Sequence, residues 1–442
     1  MQLNSEDYRA RDRRCVWHPY TRHSAAAETP FPVMARGEGV YLYDVEGRRY
    51  LDAISSWWCC NLGHGHPRVV DAIVRQAREL QHSILGNMSH PPAIELAGRL
   101  ADLFGGEGRR VLFASDGASA VEAALKIALQ YWVNLGRPAK RRFASLTDGY
   151  HGDTLGAVSV GYVESFHRAF QPVLFDVFRA GSPCCGTCVH GLRPETCGAR
   201  CFDSMGGILA EHGDELAAVI VEPLCQGAAG MRIYSPEYLR RLAAACAARD
   251  VLLIVDEIAM GFGRTGRMFA FEHAAIDPDL VCVGKGLAAG YLPISAAVVK
   301  PRIYAAFADG PRDGTFYHGH TFTGNPIACA AALETLRLYE EERIVDRAAR
   351  LGGVLRERLA PLAACPGVRD VRCLGMIGAV ELEARPAAEP SRAQQVRDAL
   401  LHRGILVRPL GDVVYYMLPL TTPDDVLADA VDALGEALQA IP

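Results

Sequence analysis

Apolar positions in this chain fall into two spacings that alternate along its first three quarters. Short, mostly apolar runs at 110–114, 141–146, 216–221, 251–255, 280–283 and 292–299 are the length of buried strands and too short for confident helices. Before and between them, 67–82, 93–104, 121–135 and 236–249 carry helical spacing, with Pro67 and Pro92 near helix starts, where proline is tolerated. Strand, helix and strand in repetition predict right-handed crossovers and a largely parallel sheet, hence an α/β fold. Upstream, 39–52 alternates on both sides of Glu46-Gly47 and reads as a hairpin, while 1–36 has little periodicity and reads as irregular. From about residue 330 the pattern shifts to long helices (327–342, 424–440) with short strands at 368–372, 376–381, 405–408 and 413–418. Residues 386–390 read as a loop tip. The expected division is an N-terminal segment 1–66 that joins a small domain, a large domain 67–330, and a C-terminal small α+β domain 331–442.

Polar residues cluster where the apolar runs stop. Asp256 and Glu257 follow the run at 251–255, and Gly284-Lys285-Gly286 follows the run at 280–283. Open α/β sheets bind ligands beyond the carboxyl ends of their strands. An acid and a lysine on two such ends can reach one small molecule, and the flanking glycines let it approach the lysine stem. Pyridoxal 5'-phosphate needs that pair: a lysine for its aldehyde and an acid for its ring nitrogen. A P-loop reading fails, because no Ser or Thr follows Lys285.

Other stretches fit the same ligand. Ser115-Asp116-Gly117-Ala118 joins a strand to a helix start, an arrangement that binds anions through backbone N–H groups and the helix dipole. Tyr150, in Asp148-Gly149-Tyr150-His151-Gly152, follows a strand and can lie flat on a ring. Glu222 is another strand-end acid. Trp57 and Trp58, adjacent in a glycine-flanked loop, suit an apolar pocket wall. His64 and His66 read as structural. Thr321, just before the helix at 327–342, could add a phosphate contact, and Arg408 could grip a carboxylate with two parallel hydrogen bonds.

Between 183 and 201, Cys185, Cys188, Cys197 and Cys201 form a C-x2-C-x8-C-x3-C pattern, with Cys184 and His190 beside them. Paired thiolates suit zinc or an iron–sulfur cluster; the plain alternative is free thiols, or disulfides formed only on oxidation. Composition narrows the class further. The 442 residues are 50% hydrophobic and 22% charged, with a net charge of −5 and no long charge run, which gives no reason to expect nucleic acid or an anionic membrane as partner. No apolar stretch approaches a membrane span, and the first twenty residues lack the apolar core of a secretory signal. Fourteen cysteines in such a chain point to reduced thiols and a cytoplasmic protein.

Taken in register, Ile254-Val-Asp256-Glu257-Ile, Gly261-Phe-Gly-Arg-Thr-Gly266, Pro278-Asp-Leu and Gly284-Lys285-Gly286 resemble the lysine-site signature of class III pyridoxal-phosphate aminotransferases. Trp17-His18-Pro19-Tyr20-Thr21, the Trp57/Trp58 pair, Tyr150-His-Gly and Arg408-Pro409 resemble the branch of that family that serves biotin synthesis. The resemblance spans about 15–440. It implies the type I fold of pyridoxal-phosphate enzymes, built as a homodimer with active sites at the subunit interface. It implies amino transfer to 8-amino-7-oxononanoate from S-adenosylmethionine, with lysine, or another class III ω-aminotransferase activity, as alternatives.

By matching position, the catalytic set is Lys285, Asp256 and Tyr20. Gly117, Ala118, Tyr150, Glu222, Asp256 and Lys285 contact the cofactor, and His320 and Thr321 hold its phosphate from the other subunit. Tyr20, Trp57, Trp58, Tyr150, Lys285, Gly319 and Arg408 line the substrate site. Ala118 stands where serine is common, and Gly319-His320-Thr321 where Gly-Pro-Thr is common.

Overall fold

The computed structural model describes residues 4–22, 31–106, 108–193, 195–308, 313–384 and 390–441. The loop tip expected at 386–390 lies almost wholly outside them. A seven-stranded sheet runs Arg110–Ala114, Ser295–Val299, Leu280–Val283, Leu252–Asp256, Leu216–Val221, Arg142–Leu146, Phe178–Ala180 across the molecule. Ser295–Val299 is antiparallel to both neighbours, and the other pairings are parallel. Both faces are covered, so successive residues of one strand enter opposite cores. Leu252 and Ile254 pack with helix Gly117–Asn134, whereas Leu253 and Val255 pack with Tyr238, Leu239 and Leu242 of helix Pro236–Ala248. That two-sided burial is why these strands read as continuous apolar runs rather than alternating ones.

The chain ends close over this sheet. The hairpin strands Tyr41–Asp44 and Arg49–Asp52 join a second sheet, in which Ile405–Leu406 pairs in parallel with Leu51 and Asp52. A third sheet, Val368–Leu374, Ile377–Leu382 and Val413–Tyr416, is antiparallel. Helices Ile344–Leu359 and Asp424–Ala440 pack into the same core as helix Pro326–Glu341. Among the described residues no helix is long and apolar enough to cross a membrane.

Three expectations need correction. Residues 5–15 form a helix, not irregular chain. It buries no residue, so no apolar period announced it, and its start is fixed by a capping box between Asn4 and Asp7. The strand expected at 292–299 begins only at Ser295. Glu257 does not join Asp256 at the ligand crevice. Pleating turns it to the other side, where its two carboxylate oxygens accept from the N–H groups of Ala270 (3.0 Å) and Phe271 (2.8 Å).

Candidate active site

A cavity of about 480 Å³ opens at the carboxyl ends of the central strands, and Lys285, Asp256, Glu222, Tyr150, Gly117, Ala118 and Trp58 all line it. The sequence-predicted acid and lysine therefore face one space. The chain holds four lysines. Lys140 donates to the carbonyls of Gly213 (2.6 Å) and Leu216 (3.3 Å), Lys126 lies 3.1 Å from His318 Nδ1, and Lys300 pairs with Asp277 at 2.9 Å. Only Lys285 points into the cavity, with Nζ 5.2 Å from the centre of the Trp58 ring. Burial pushes its ammonium below the ordinary lysine value, against the opposing pull of Asp256, Cys59 and Glu222. A neutral amine is what attack on an aldehyde requires.

Asp256 is buried at its strand end. Its Oδ1 accepts from the N–H of Ile258 (3.0 Å), and its Oδ2 lies 2.7 Å from His151 Nδ1. Glu222 accepts from the N–H groups of Tyr150 (3.0 Å) and Gly227 (2.9 Å), tying the Tyr150 turn to the next strand. Burial pushes the Glu222 carboxyl up to about 7 despite those bonds. From its ordinary value of 4.5 up to about 7, the folded state then holds a proton that the unfolded chain has released. Glu222 thus makes the folded state less stable as pH rises through that window. Chemical denaturation of the cofactor-free protein across this range should show that fall, and Glu222→Gln should flatten it.

Gly117 and Ala118 open an 18-residue helix. The Asp116 carboxylate caps the Ser119 N–H at 3.0 Å, and among the described residues the Gly117 and Ala118 N–H groups have no protein acceptor. Gly152 sits against this helix start at φ +117°, where an added Cβ would lie 2.4 Å from the Ala118 Cβ. Glycine is therefore required for the Tyr150 loop to close over the cradle.

The mouth of the cavity is aromatic. Ser55, Ser56, Trp57 and Trp58 all have positive φ, from +44° to +75°, a left-handed turn without glycine. Such a run stores strain, about 1–2 kcal/mol per residue. Its anchors are Ser55 Oγ donating to the Met417 carbonyl (2.6 Å), Ser56 N and Oγ donating to Asp52 (2.9 and 2.7 Å), and Trp58 Nε1 donating to Tyr415 Oη (3.1 Å). The turn sends Trp58 into the cavity and leaves Trp57 at its rim. There the Arg408 guanidinium lies 4.5 Å from the Trp57 ring centre and 5.6 Å from that of Tyr20, which meets Trp57 edge-on at 5.7 Å. Arg408 forms no ion pair among the described residues.

The sequence reading missed Asp153. Tyr20 Oη donates to its Oδ1 (2.5 Å) and Tyr150 Oη to its Oδ2 (3.0 Å), with His167 Nε2 at 3.5 Å. Partial burial acts to raise the Asp153 carboxyl, but these hydrogen bonds outweigh it and hold the carboxyl low. Burial, then Asp153, pushes the Tyr20 hydroxyl up to about 12. Its only advance signal was an acid three residues past Tyr150.

Gly319, His320 and Thr321 do not line this cavity. Gly319 and Thr321 are exposed, and His320 Nδ1 meets Ser115 Oγ at 2.9 Å. His64 is structural, its Nε2 2.9 Å from Asp52 Oδ2. Asp52, Cys60 and His64 are the only three His, Cys, Asp or Glu residues with ligand atoms within 4.8 Å of one another among the described residues. Asp52 is already committed there to Ser56 and His64.

The Aminotransferase class-III family profile matches residues 23–438. The chain belongs to the class III aminotransferase family. The adenosylmethionine-8-amino-7-oxononanoate aminotransferase of Nitratidesulfovibrio vulgaris is 41% identical over 98% of this chain and 82% of its own length. The crystal structure of the protein of that name from Methanocaldococcus jannaschii superposes with a TM-score of 0.93 at 36% identity, covering 99% of this chain and 100% of that one. An amine transaminase from an uncultivated Pseudomonas species, in its pyridoxal-phosphate-bound form, gives 0.92 at 34% identity, with 97% and 99% covered.

This class III aminotransferase is thus a pyridoxal-phosphate-dependent enzyme of fold type I. Its residues fit the cofactor. The helix start with two unbonded N–H groups suits a phosphate, the buried Asp256 suits a ring nitrogen, and Lys285 suits an aldehyde. When bound, pyridoxal phosphate supplies an electron sink for bonds at the amine-bearing carbon.

Proposed function

We propose that this aminotransferase moves an amino group onto 8-amino-7-oxononanoate in biotin synthesis, with S-adenosylmethionine as donor, in the cytoplasm. The observation that carries the reading is the position of Arg408 across Trp57 and Tyr20 at the rim of the Lys285 cavity. A long apolar chain that ends in a carboxylate wants aromatic walls and a cation at the far end. Arg408 would pair with that carboxylate in two parallel hydrogen bonds, which leaves the keto carbon at the Lys285 end.

The residues divide the work. Lys285 would move the proton between the amine-bearing carbon and the cofactor. Asp256 holds negative charge where a ring nitrogen must stay protonated. The Gly117 and Ala118 N–H groups would hold the cofactor's phosphate, and Tyr150 and Trp58 would wall the site against water. Tyr20, fixed by Asp153, orients the acceptor at the rim. The loop at Gly319, His320 and Thr321 would complete the phosphate site of a second copy in a homodimer. Phe322 and Tyr317 on that loop, together with Met88, are exposed apolar side chains of the kind such an interface covers.

The deciding assay gives the cofactor-loaded enzyme 8-amino-7-oxononanoate with S-adenosylmethionine, lysine or a simple aryl amine. Formation of 7,8-diaminononanoate with S-adenosylmethionine supports the reading. Turnover of simple amines and ketones with none of 8-amino-7-oxononanoate would replace it with a general amine transaminase. Arg408→Lys should raise KM for the keto acid roughly 10- to 100-fold with kcat little changed, because one charge-assisted hydrogen bond and the planar fork are lost.

A further inference from the structure

The loop at 181–199 links the edge strand Phe178–Ala180 to the turn Arg200–Phe202 and helix Asp203–His212, and it takes no part in the site described above. One side is pinned where the Cys185 N–H donates to the Ile233 carbonyl (2.9 Å), the other where Arg241 Nη1 donates to the carbonyls of Gly198 and Ala199 (both 3.0 Å). Pro183 and Ala199 are buried at its two ends, Ala199 in the same core as Tyr238, while Val189, near its middle, is 83% exposed, so the middle of the loop has no apolar core. Ordering this much irregular chain costs about 1–2 kcal/mol per residue in backbone entropy alone.

What the loop does bring together is sulfur. Cys184, Cys185, Cys188, Cys197 and Cys201 line a single cavity of about 20 Å³, with His190 also on its wall. That volume admits one water-sized atom, at least ~10–15 Å³ being needed for it. The backbone arranges the convergence. Gly198 (φ +55°) and Ala199 (φ +53°) are consecutive left-handed residues between Cys197 and Cys201, and Ala199 takes that conformation without being glycine. They turn the chain between Cys197 and Cys201, and both cysteines line the cavity that Cys185 and Cys188 also line. Gly186, between Cys185 and Cys188, packs so close to Asp370 that an added Cβ would lie 2.3 Å from its carboxylate oxygen.

We propose that Cys185, Cys188, Cys197 and Cys201 bind one zinc ion, which holds this loop in its fold. Four thiols release four protons as Zn²⁺ binds, giving a tetrathiolate site of net charge −2, and no electron is transferred. Arg241, bonded to the Gly198 and Ala199 carbonyls between Cys197 and Cys201, places a positive charge beside that site. In a closed site Zn–S is about 2.3 Å, which sets neighbouring sulfurs about 3.8 Å apart. Among the described residues no three of the loop's sulfurs lie within 4.8 Å of one another. Zinc binding would draw the four sulfurs together around the cavity they already line. Thr187 Oγ1, 3.3 Å from Cys184 Sγ, marks Cys184 as the thiol left outside the four.

The test is elemental analysis of the full-length enzyme after gel filtration from a zinc-containing buffer. The expected result is one zinc per chain, absent from the Cys188→Ser/Cys201→Ser double variant, which keeps its cofactor absorption and its kcat. A chelator should lower the wild-type melting temperature by several degrees and leave the double variant unmoved. If the double variant does not fold, mercurial titration of the wild type, with a metallochromic dye present, should release one zinc per chain. Zinc content no higher than in the double variant, iron in place of zinc, or disulfides among these cysteines in the native protein would each overturn the proposal.

Discussion

Lys285→Ala should lower amino transfer by roughly 10⁴-fold or more, an increase in barrier of at least about 5.5 kcal/mol. The protein should still fold. Lys285 Nζ makes no hydrogen bond within the chain among the described residues, and its contact with Trp58 is a ring face at 5.2 Å. Lys285 already occupies φ +38°, so alanine inherits that backbone strain without adding to it. The loss therefore falls on chemistry and on cofactor attachment. Steady-state rates with circular dichroism and thermal melts separate the two: activity disappears while the melting temperature of the cofactor-free protein moves little. Retention of a tenth of the activity would remove Lys285 from the centre of the mechanism.

Asp256→Asn should cost about 10³-fold in kcat, near 4 kcal/mol, comparable to deleting one preorganised electrostatic contact in other enzymes. Asparagine keeps the volume of Asp256, and its carbonyl oxygen can still accept from the Ile258 N–H at 3.0 Å. It removes the negative charge at the strand end and the charged partner of His151 at 2.7 Å. Without that charge a pyridine nitrogen in this cavity loses its reason to stay protonated. Cofactor affinity should fall alongside kcat, measured by fluorescence titration. A variant with normal kcat would show that Asp256 serves the fold through His151 and not the reaction.

The sequence showed Lys285 and Asp256 because strands buried on both faces leave unbroken apolar runs, and the first polar residue after each run marks the ligand-facing edge. It did not separate Asp256 from Glu257, although pleating sends adjacent side chains to opposite sides. The helix Ser5–Cys15 was hidden because it buries nothing, and only its capping box announced it. Asp153 was hidden for another reason: its bond to Tyr20 joins residues 133 apart. The same holds for Trp58 and Tyr415, 357 apart. Such pairs exist only once the chain ends have folded over the central sheet. The left-handed turn at 55–58 was equally silent, because glycine usually marks such a conformation and none is present. The positions of Arg408, Tyr20 and Trp57 were named from a motif, and their mutual geometry came from the fold.

The most direct measurement is to load the enzyme with pyridoxal phosphate, reduce it with borohydride, and map the modified peptide by mass spectrometry. With four lysines in the chain, three of them bonded elsewhere, the account predicts one cofactor adduct per chain, on Lys285. An adduct on Lys126, Lys140 or Lys300, or none at all, would contradict it.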